Sequence, residues 1–388
     1  MTDAIRQRAA GPWSRRTFLQ VSAAGVVSAT ALGGASRMAH AARGPFTWIS
    51  PRGTLEVLDD YPYWVAREFG YFGDIETVME PGPSDGTATV KFVDQGQADM
   101  GFPSPGVFSF AIENGLDLVS VFNMGAVDVF DFAFRPGEGM ADLKGLEGKT
   151  VLLGSAAWQS IADPILYAVG VDVSKVTYVE AGWPAWGTLL ARGEGDAALA
   201  WEGLRADWQG KGLQFDYWLG LESSPFPANS FVVRQSDMED PDQRQLIEDY
   251  LRGWAMGLEF GHQNPAAATD IVFKQFPIVK SSLGPRFGIE SMMQLANVFR
   301  GNFEEREGWG WHDPARWTAF FDATHALGQT TVDVDIDRVV NNDLIAGANT
   351  FDADKVAADA AGYQLTEDMA EVDMDLIRAQ FFANAVNI

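Results

Sequence analysis

Gly96-Gln97-Ala98-Asp99-Met100-Gly101-Phe102 reads as a helix stop, a polar turn and a short apolar strand in direct succession. Before it, Thr87–Asp94 reads as the helix that Gly96 ends. Further back stand a strand over Phe46–Ile49, a helix around Tyr63–Phe69 closed by Gly70, and a strand over Ile75–Met79. After it come a helix over Gly106–Asn114, stopped by Gly115, and a strand over Val119–Asn123. This βαβα order predicts an α/β fold with a largely parallel sheet and helices on both faces.

The alternation continues through strands at Phe130–Arg135, Thr150–Leu153, Val176–Val179, Ala197–Trp201 and Phe231–Arg234. Helices near Ile161–Val169 and Trp186–Ala191 lie between them. The pattern then turns wholly helical. Asp240-Pro241 is a cap followed by Pro at the first helical position, and Leu246, Tyr250, Trp254 and Leu258 recur as one apolar stripe. Asp313-Pro314 repeats the start signal, with Trp317, Phe320, Phe321 and His325 placed on one face. Crossings near residues 125–136 and 226–234 predict two α/β lobes joined by two strands, with a helical C-terminal part. Residues 43–128 and 232–388 are assigned to the first lobe, and 129–231 to the second, with hinge strands at its ends.

The 388 residues are 47% apolar and 21% charged, an ordinary globular composition. Lys and Arg total 28 against 53 acidic residues, a formal charge of −25. Nucleic acid and anionic membrane surfaces are poor partners for such a chain, because both need a basic footprint. The chain has no Cys, which excludes disulfides, thiolate metal sites and a Cys nucleophile together.

Residues 1–41 read as an export signal. Ser14-Arg15-Arg16-Thr17-Phe18-Leu19 is a twin-arginine pattern before a mild apolar stretch, Val21–Gly34, and Ala39-His40-Ala41 supplies a small-x-small cleavage site. The apolar stretch is too short to span a bilayer, which takes about 20 apolar residues. The expected location of the mature chain is the periplasm. Twin-arginine export carries folded proteins, often after cofactor insertion, but the sequence offers no cofactor motif.

Several segments carry a resemblance. Val65-Ala66-Arg67-Glu68-Phe69-Gly70-Tyr71-Phe72 is similar to an "A-x-x-x-G-Y-F" opening, and Gly96-Gln97-Ala98-Asp99-Met100-Gly101 to "G-x-A-D-x-G". Asp142-Leu143-Lys144-Gly145 with Gly148-Lys149-Thr150-Val151 resembles "D-L-K-G-K-T-V", here with Leu146 and Glu147 inserted. Gly193-Glu194-Gly195-Asp196-Ala197-Ala198 resembles "G-E-V-D-A-A", and Asn349-Thr350-Phe351-Asp352 a later recurrent element. In this order they resemble the periplasmic substrate-binding proteins of ABC transporters in the nitrate/sulfonate/taurine and thiamine-pyrimidine-precursor binding group. The resemblance implies a type II periplasmic-binding-protein clamshell that closes on a small-molecule ligand. It also implies delivery to an ABC permease in the inner membrane, with no chemistry on the ligand. A monomer is expected, with no cofactor and no metal. An enzymatic branch of the group uses a cysteine-rich metal motif, which this chain lacks.

In open α/β sheets, ligands lie beyond the carboxyl ends of the strands. The loop after the first strand offers Asp59, Asp60, Tyr61 and Trp64, either as caps and core or as an aromatic wall with an acidic acceptor. Asp85 and Thr87 open one helix, and Ser104 ends the third strand. From the second lobe come Ser155, Trp158 and Gln159, then Trp183, then Trp201 and Glu202. Three or four of the thirteen Trp are expected in the cleft. Glu56, Asp59, Asp60, Asp85 and Glu202 outnumber Arg52, the one nearby base, so the loops favour a neutral or cationic ligand, nitrogen-bearing or aromatic, such as a pyrimidine. An arginine brought in from Arg135, Arg205 or Arg234 would overturn that balance. Taurine, an alkanesulfonate or nitrate is the alternative ligand class on this fold, and an exported enzyme or a sensory receptor subunit is the alternative function. No nucleophile elbow, Walker loop, complete dinucleotide fingerprint or zinc-protease motif occurs. His262, His312 and His325 are scattered, and Gly308-Trp309-Gly310-Trp311-His312 reads as a loop covering the helical side.

Overall fold

The computed structural model describes residues 44–83 and 86–383. The export segment and Asp85 lie outside the described residues. The first sheet holds β1 (Phe46–Ser50), β2 (Thr77–Pro81), β3 (Met100–Gly101) and β4 (Leu118–Asn123). The second holds β5 (Phe130–Phe134), β6 (Thr150–Leu153), β7 (Thr177–Glu180), β8 (Ala197–Trp201) and β9 (Asp216–Trp218). The chain then returns to the first sheet as β10 (Ser230–Arg234). The orders are β2-β1-β3-β10-β4 and β7-β6-β8-β5-β9.

Each sheet is mixed, which amends the largely parallel expectation. β10 runs antiparallel to β3 and β4, and β5 runs antiparallel to β8 and β9. Parallel neighbours need a long crossover to bring the chain back to the same end. β5 and β10 instead arrive from the other sheet by short links, and so run the opposite way. β9 had no sequence signal, because three residues carry no readable period.

The helices that frame the sheets are α1 (Tyr61–Glu68), α2 (Ala88–Asp94), α3 (Pro105–Glu113), α4 (Gln159–Ala168), α5 (Trp186–Ala191) and α6 (Leu204–Gly210). The helical part supplies α7 (Pro241–Gln263), α8 (Pro265–Gln275), α9 (Pro277–Arg300) and α10 (Pro314–Ala326). Asp240 starts α7 as expected, accepting from the Asp242 and Gln243 amides at 2.9 and 3.3 Å. Tyr250, Trp254 and Leu258 are fully buried, whereas Leu246 is only partly covered. Trp254 meets Phe231 of β10 at 4.7 Å and Trp48 of β1 at 5.2 Å, which ties α7 to the first sheet. α7 lies so close to α1 that a Cβ at Gly257 would overlap the Pro62 carbonyl. On α10, Trp317, Phe320 and Phe321 are buried, but His325 is exposed, contrary to its expected place on the apolar face. It stands near the helix end, past the stretch that meets the core.

His312 is buried and neutral. Its Nε2 lies 2.7 Å from the Ser120 hydroxyl, its Nδ1 lies 2.9 Å from the Asn342 carbonyl oxygen, and burial holds its pKa down to about 4. The Gly308–His312 loop packs on the edge strand β4, with the Asn123 amide donating to the Gly310 carbonyl.

The two links between the sheets lie side by side. The Met124 amide donates to the Asn229 carbonyl at 3.2 Å. The buried Asp128 accepts from the Phe130 amide at 3.0 Å and from the Ser224 hydroxyl at 2.5 Å, joining one link to the other. Burial pushes the Asp128 carboxyl from 3.8 up to about 7, against the pull of these bonds. Between those pH values the folded chain holds a proton that the unfolded chain has lost, so this group's contribution falls as pH rises through the window. Asp128→Asn keeps the bond from the Phe130 amide, lets its NH2 donate to the Ser224 hydroxyl instead of accepting from it, and removes the titration. Urea denaturation between pH 4 and 8 is expected to show a shallower loss of stability with rising pH than in the parent.

Candidate functional site

A cavity of about 90 Å³ lies between the two sheets, at the carboxyl ends of their parallel strands. This is where α/β sheets present loops and helix starts to a ligand. From the first sheet come Arg52 and Asp59 after β1, and Phe102 and Ser104 after β3. From the second come Trp158 after β6, Trp183 after β7, and Trp201 and Glu202 at the end of β8. Asn229, just before β10, and Leu295 and Phe299 of α9 also line it.

Indole faces dominate the second-lobe side. Trp183 and Trp201 stack at 5.6 Å and 8° between planes, and Trp158 stands edge-on to Trp201 at 5.7 Å. The fully buried Trp186 lies behind them, 5.0 Å from Trp183, and anchors its Nε1 on the Leu199 carbonyl at 2.9 Å. The three front rings are only partly buried, and their faces offer stacking or cation–π contact.

The charged groups are already paired. Arg52 donates from Nη1 to Asp60 at 2.7 Å and from Nη2 to Asp59 at 3.0 Å. The rest of its fork carries no bond among the described residues, and its guanidinium lies 5.8 Å from the Phe102 ring centre. Burial pushes Asp60 up to about 6, while Arg52 pulls the other way. Asp59 also accepts from Trp201 Nε1 at 3.0 Å, a bond from one lobe to the other. Glu202 is chelated by Arg205 Nη2 at 3.0 and 3.1 Å, both side chains being almost fully buried. Burial still raises the Glu202 pKa, and burial with the neighbouring Glu202 raises that of Asp131 well above the usual range.

The acidic surplus read from the loops is therefore reduced at the cavity wall, where Arg52 and Arg205 stand against Asp59, Asp60 and Glu202. Arg205 arrives from the start of α6, as one of the three arginines that could shift the balance. Arg135 and Arg234 pair elsewhere, with Glu138 and Asp237. Glu56 is exposed and borders a neighbouring cavity.

Of the residues expected at the site, Asp59, Ser104, Trp158, Trp183, Trp201 and Glu202 meet at the cavity. Asp60 sits behind Arg52. Tyr61 is fully buried, stacked 6.1 Å from Phe299, and is not among the lining residues. Trp64 packs edge-on to Phe276 at 5.1 Å, because its face of α1 meets the helical part. Thr87 is buried at the start of α2, and Gly86 takes the place at the wall. Ser155 caps a short turn by accepting from the Ala157 amide at 3.4 Å, and Gln159 donates to Asp163 at 3.0 Å. Ser104 also caps, accepting from the Val107 amide at 3.3 Å while lining the cavity. Nothing in the sequence marked Asn229, whose side-chain carbonyl has no hydrogen-bond partner among the described residues, nor Phe299 and Leu295. Arg52 had a usable signal, being the lone base just past β1. No metal-holding group of acids and histidines occurs among the described residues.

This geometry defines a two-lobed α/β protein with a cleft between its sheets, and the comparisons with known proteins agree. Residues 59–268 match the family described as NMT1/THI5 like, and the chain belongs to that family. The alkanesulfonate-binding protein SsuA from Xanthomonas axonopodis pv. citri, bound to MOPS, is similar in fold, with a TM-score of 0.56 and 13% identity. That match covers 78% of this chain and 100% of the other. The periplasmic nitrate-binding protein NrtA from Synechocystis PCC 6803 gives 0.54 and 12%, covering 88% of this chain and 98% of its own. A Candida albicans gene product described as having the generic periplasmic binding protein fold gives 0.55 and 11%, over 77% and 97%. The type II clamshell expected from the sequence is thus the fold of this chain. No curated protein matches it.

Removing Arg52 leaves Asp60 buried beside Asp59 with no cation. Breaking one side of a buried pair costs about 3–5 kcal/mol. Arg52→Met is expected to lose on that order of stability in urea at pH 8. The loss should be smaller at pH 4, where Asp60 is protonated.

Proposed function

We propose that this chain is the extracytoplasmic solute-binding component of an ABC importer. In this reading it takes up a small, flat, neutral or cationic molecule, aromatic or nitrogen-bearing, between its lobes. Family membership and the fold of SsuA and NrtA support the binding role. The observation that carries the ligand class is the wall of Trp158, Trp183 and Trp201, lining with Phe102 a cavity whose carboxylates are already bonded to arginine. A planar ring gains stacking there without leaving a buried charge unpaired.

The lobes are taken as residues 43–128 with 232–388, and 129–231. A ligand touching both favours the closed form by its differential affinity for it, and the closed form is what the permease reads. Export by the twin-arginine route, a periplasmic location and a monomeric state complete the reading. Among the described residues no helix is long and apolar enough to cross a membrane. The ligand leaves unaltered, so mass spectrometry of recovered solutes is expected to find no product.

A second reading, a sulfonate or nitrate, is favoured by one observation: among the described residues, part of the Arg52 fork is unbonded beside the cavity. A thermal-shift screen separates the two by setting pyrimidines, flavins and aromatic amines against taurine, alkanesulfonates and nitrate. A ligand at 100 times its Kd stabilises by about 2.7 kcal/mol. Protection by flat neutral or cationic compounds is expected; protection by the anions alone would replace the first reading with the second. Trp158→Ala is expected to abolish the shift with the fold intact.

A further inference from the structure

The last described residues of the chain end against the second lobe, although the helix before them belongs to the first. In the helix Met374–Ala379, Ile377 is fully buried in the first-lobe core. Next along the chain, Gln380 accepts from Arg286 Nη2 of α9 at 2.5 Å. Then the direction changes: the Phe381 and Ala383 carbonyls accept from Arg205 Nη1 at 3.0 and 3.5 Å. The Arg205 guanidinium also lies 5.9 Å from the Phe382 ring centre. Arg205 stands on α6, among second-lobe residues, and its Nη2 holds Glu202, a residue of the cavity wall. One guanidinium thus grips the tail on one edge and the cleft on the other.

We propose that residues 380–383 form a strap that seats on Arg205 only when the lobes are closed, so that cleft closure and tail docking are one event. Ile377 and Gln380 fix the strap to the first lobe, while the bonds from Phe381 and Ala383 fix it to the second. If the lobes part, Arg205 gives up the two carbonyls and its buried charge loses acceptors that α6 does not replace. The strap adds to the direct contact of α6 with α9, where Ser291 donates to the Gly203 carbonyl at 2.9 Å. Ligand and strap both favour the closed form, so each raises the occupancy of the other. The inference rests on the lobe-closure reading above and is independent of which solute is bound.

The absence of Cys makes the test clean. Asp74→Cys and Glu194→Cys place spin labels on exposed sites of the two lobes. Distances are then measured in ligand-free protein for three chains: the full chain, the chain ended after Ala379, and the full chain with Arg205→Lys. Truncation is expected to at least double the long-distance population, and Arg205→Lys to move it the same way. Superimposable distributions for the full and truncated chains, with matching circular dichroism, would overturn the strap. Should Arg205→Lys fold poorly, the truncated chain decides alone, because it retains Ile377. A failure of every solute to bind would leave these distances unchanged and would count only against the ligand reading.

Discussion

Arg52 holds two carboxylates of unequal burial at the edge of the cleft, and much of the site depends on that arrangement. Asp60 has no access to water, and two such acids side by side would not both stay charged without a cation. With the guanidinium in place, Asp59 is fixed and oriented, and its oxygen can accept from the Trp201 indole across the gap. That bond brings the aromatic wall of one lobe over the polar floor of the other. The cavity is therefore apolar at its faces, and the carboxylates at its edge are held by an arginine rather than left unpaired.

The position of the cleft follows from the connectivity. Helical crossovers keep the parallel strands of each sheet pointing the same way, so their loops gather at one end. The short links through residues 124–129 and 219–229 join the sheets and send β5 and β10 back against their neighbours. Asp128 and Ser224 bond the two links to each other, so the lobes share a compact joint rather than two independent tethers. Rotation about such a joint changes the width of the gap while leaving each sheet intact.

The sequence carried local information well and tertiary information poorly. Strands at Thr150–Leu153 and Ala197–Trp201 and the helix at Trp186–Ala191 lie where periodicity and glycine stops put them. Trp158, Trp183 and Trp201 could be placed because they lie at or within a few residues of strand ends that face the cleft. Tyr61 and Trp64 could not, because their side of α1 depends on where α7 and α8 pack. Asn229 and Phe299 had no local mark at all; one lies in a link and the other on a helix distant in sequence. The charge balance was only partly legible for a similar reason. Carboxylates can be counted along a loop, but their pairing is set in space: Arg52 takes two acids of its own loop, and Arg205 of α6 takes Glu202.

The indoles of the second lobe have a consequence beyond contact surface. Trp158, Trp183, Trp186, Trp201 and Trp208 form a chain of neighbours with ring centres 5.0 to 6.1 Å apart. Chromophores that close share their electronic excitation, so the group behaves as one asymmetric antenna rather than five separate emitters. The second lobe thus carries a built-in optical signature, and any reorientation of its outermost ring alters the rotational strength of the whole array.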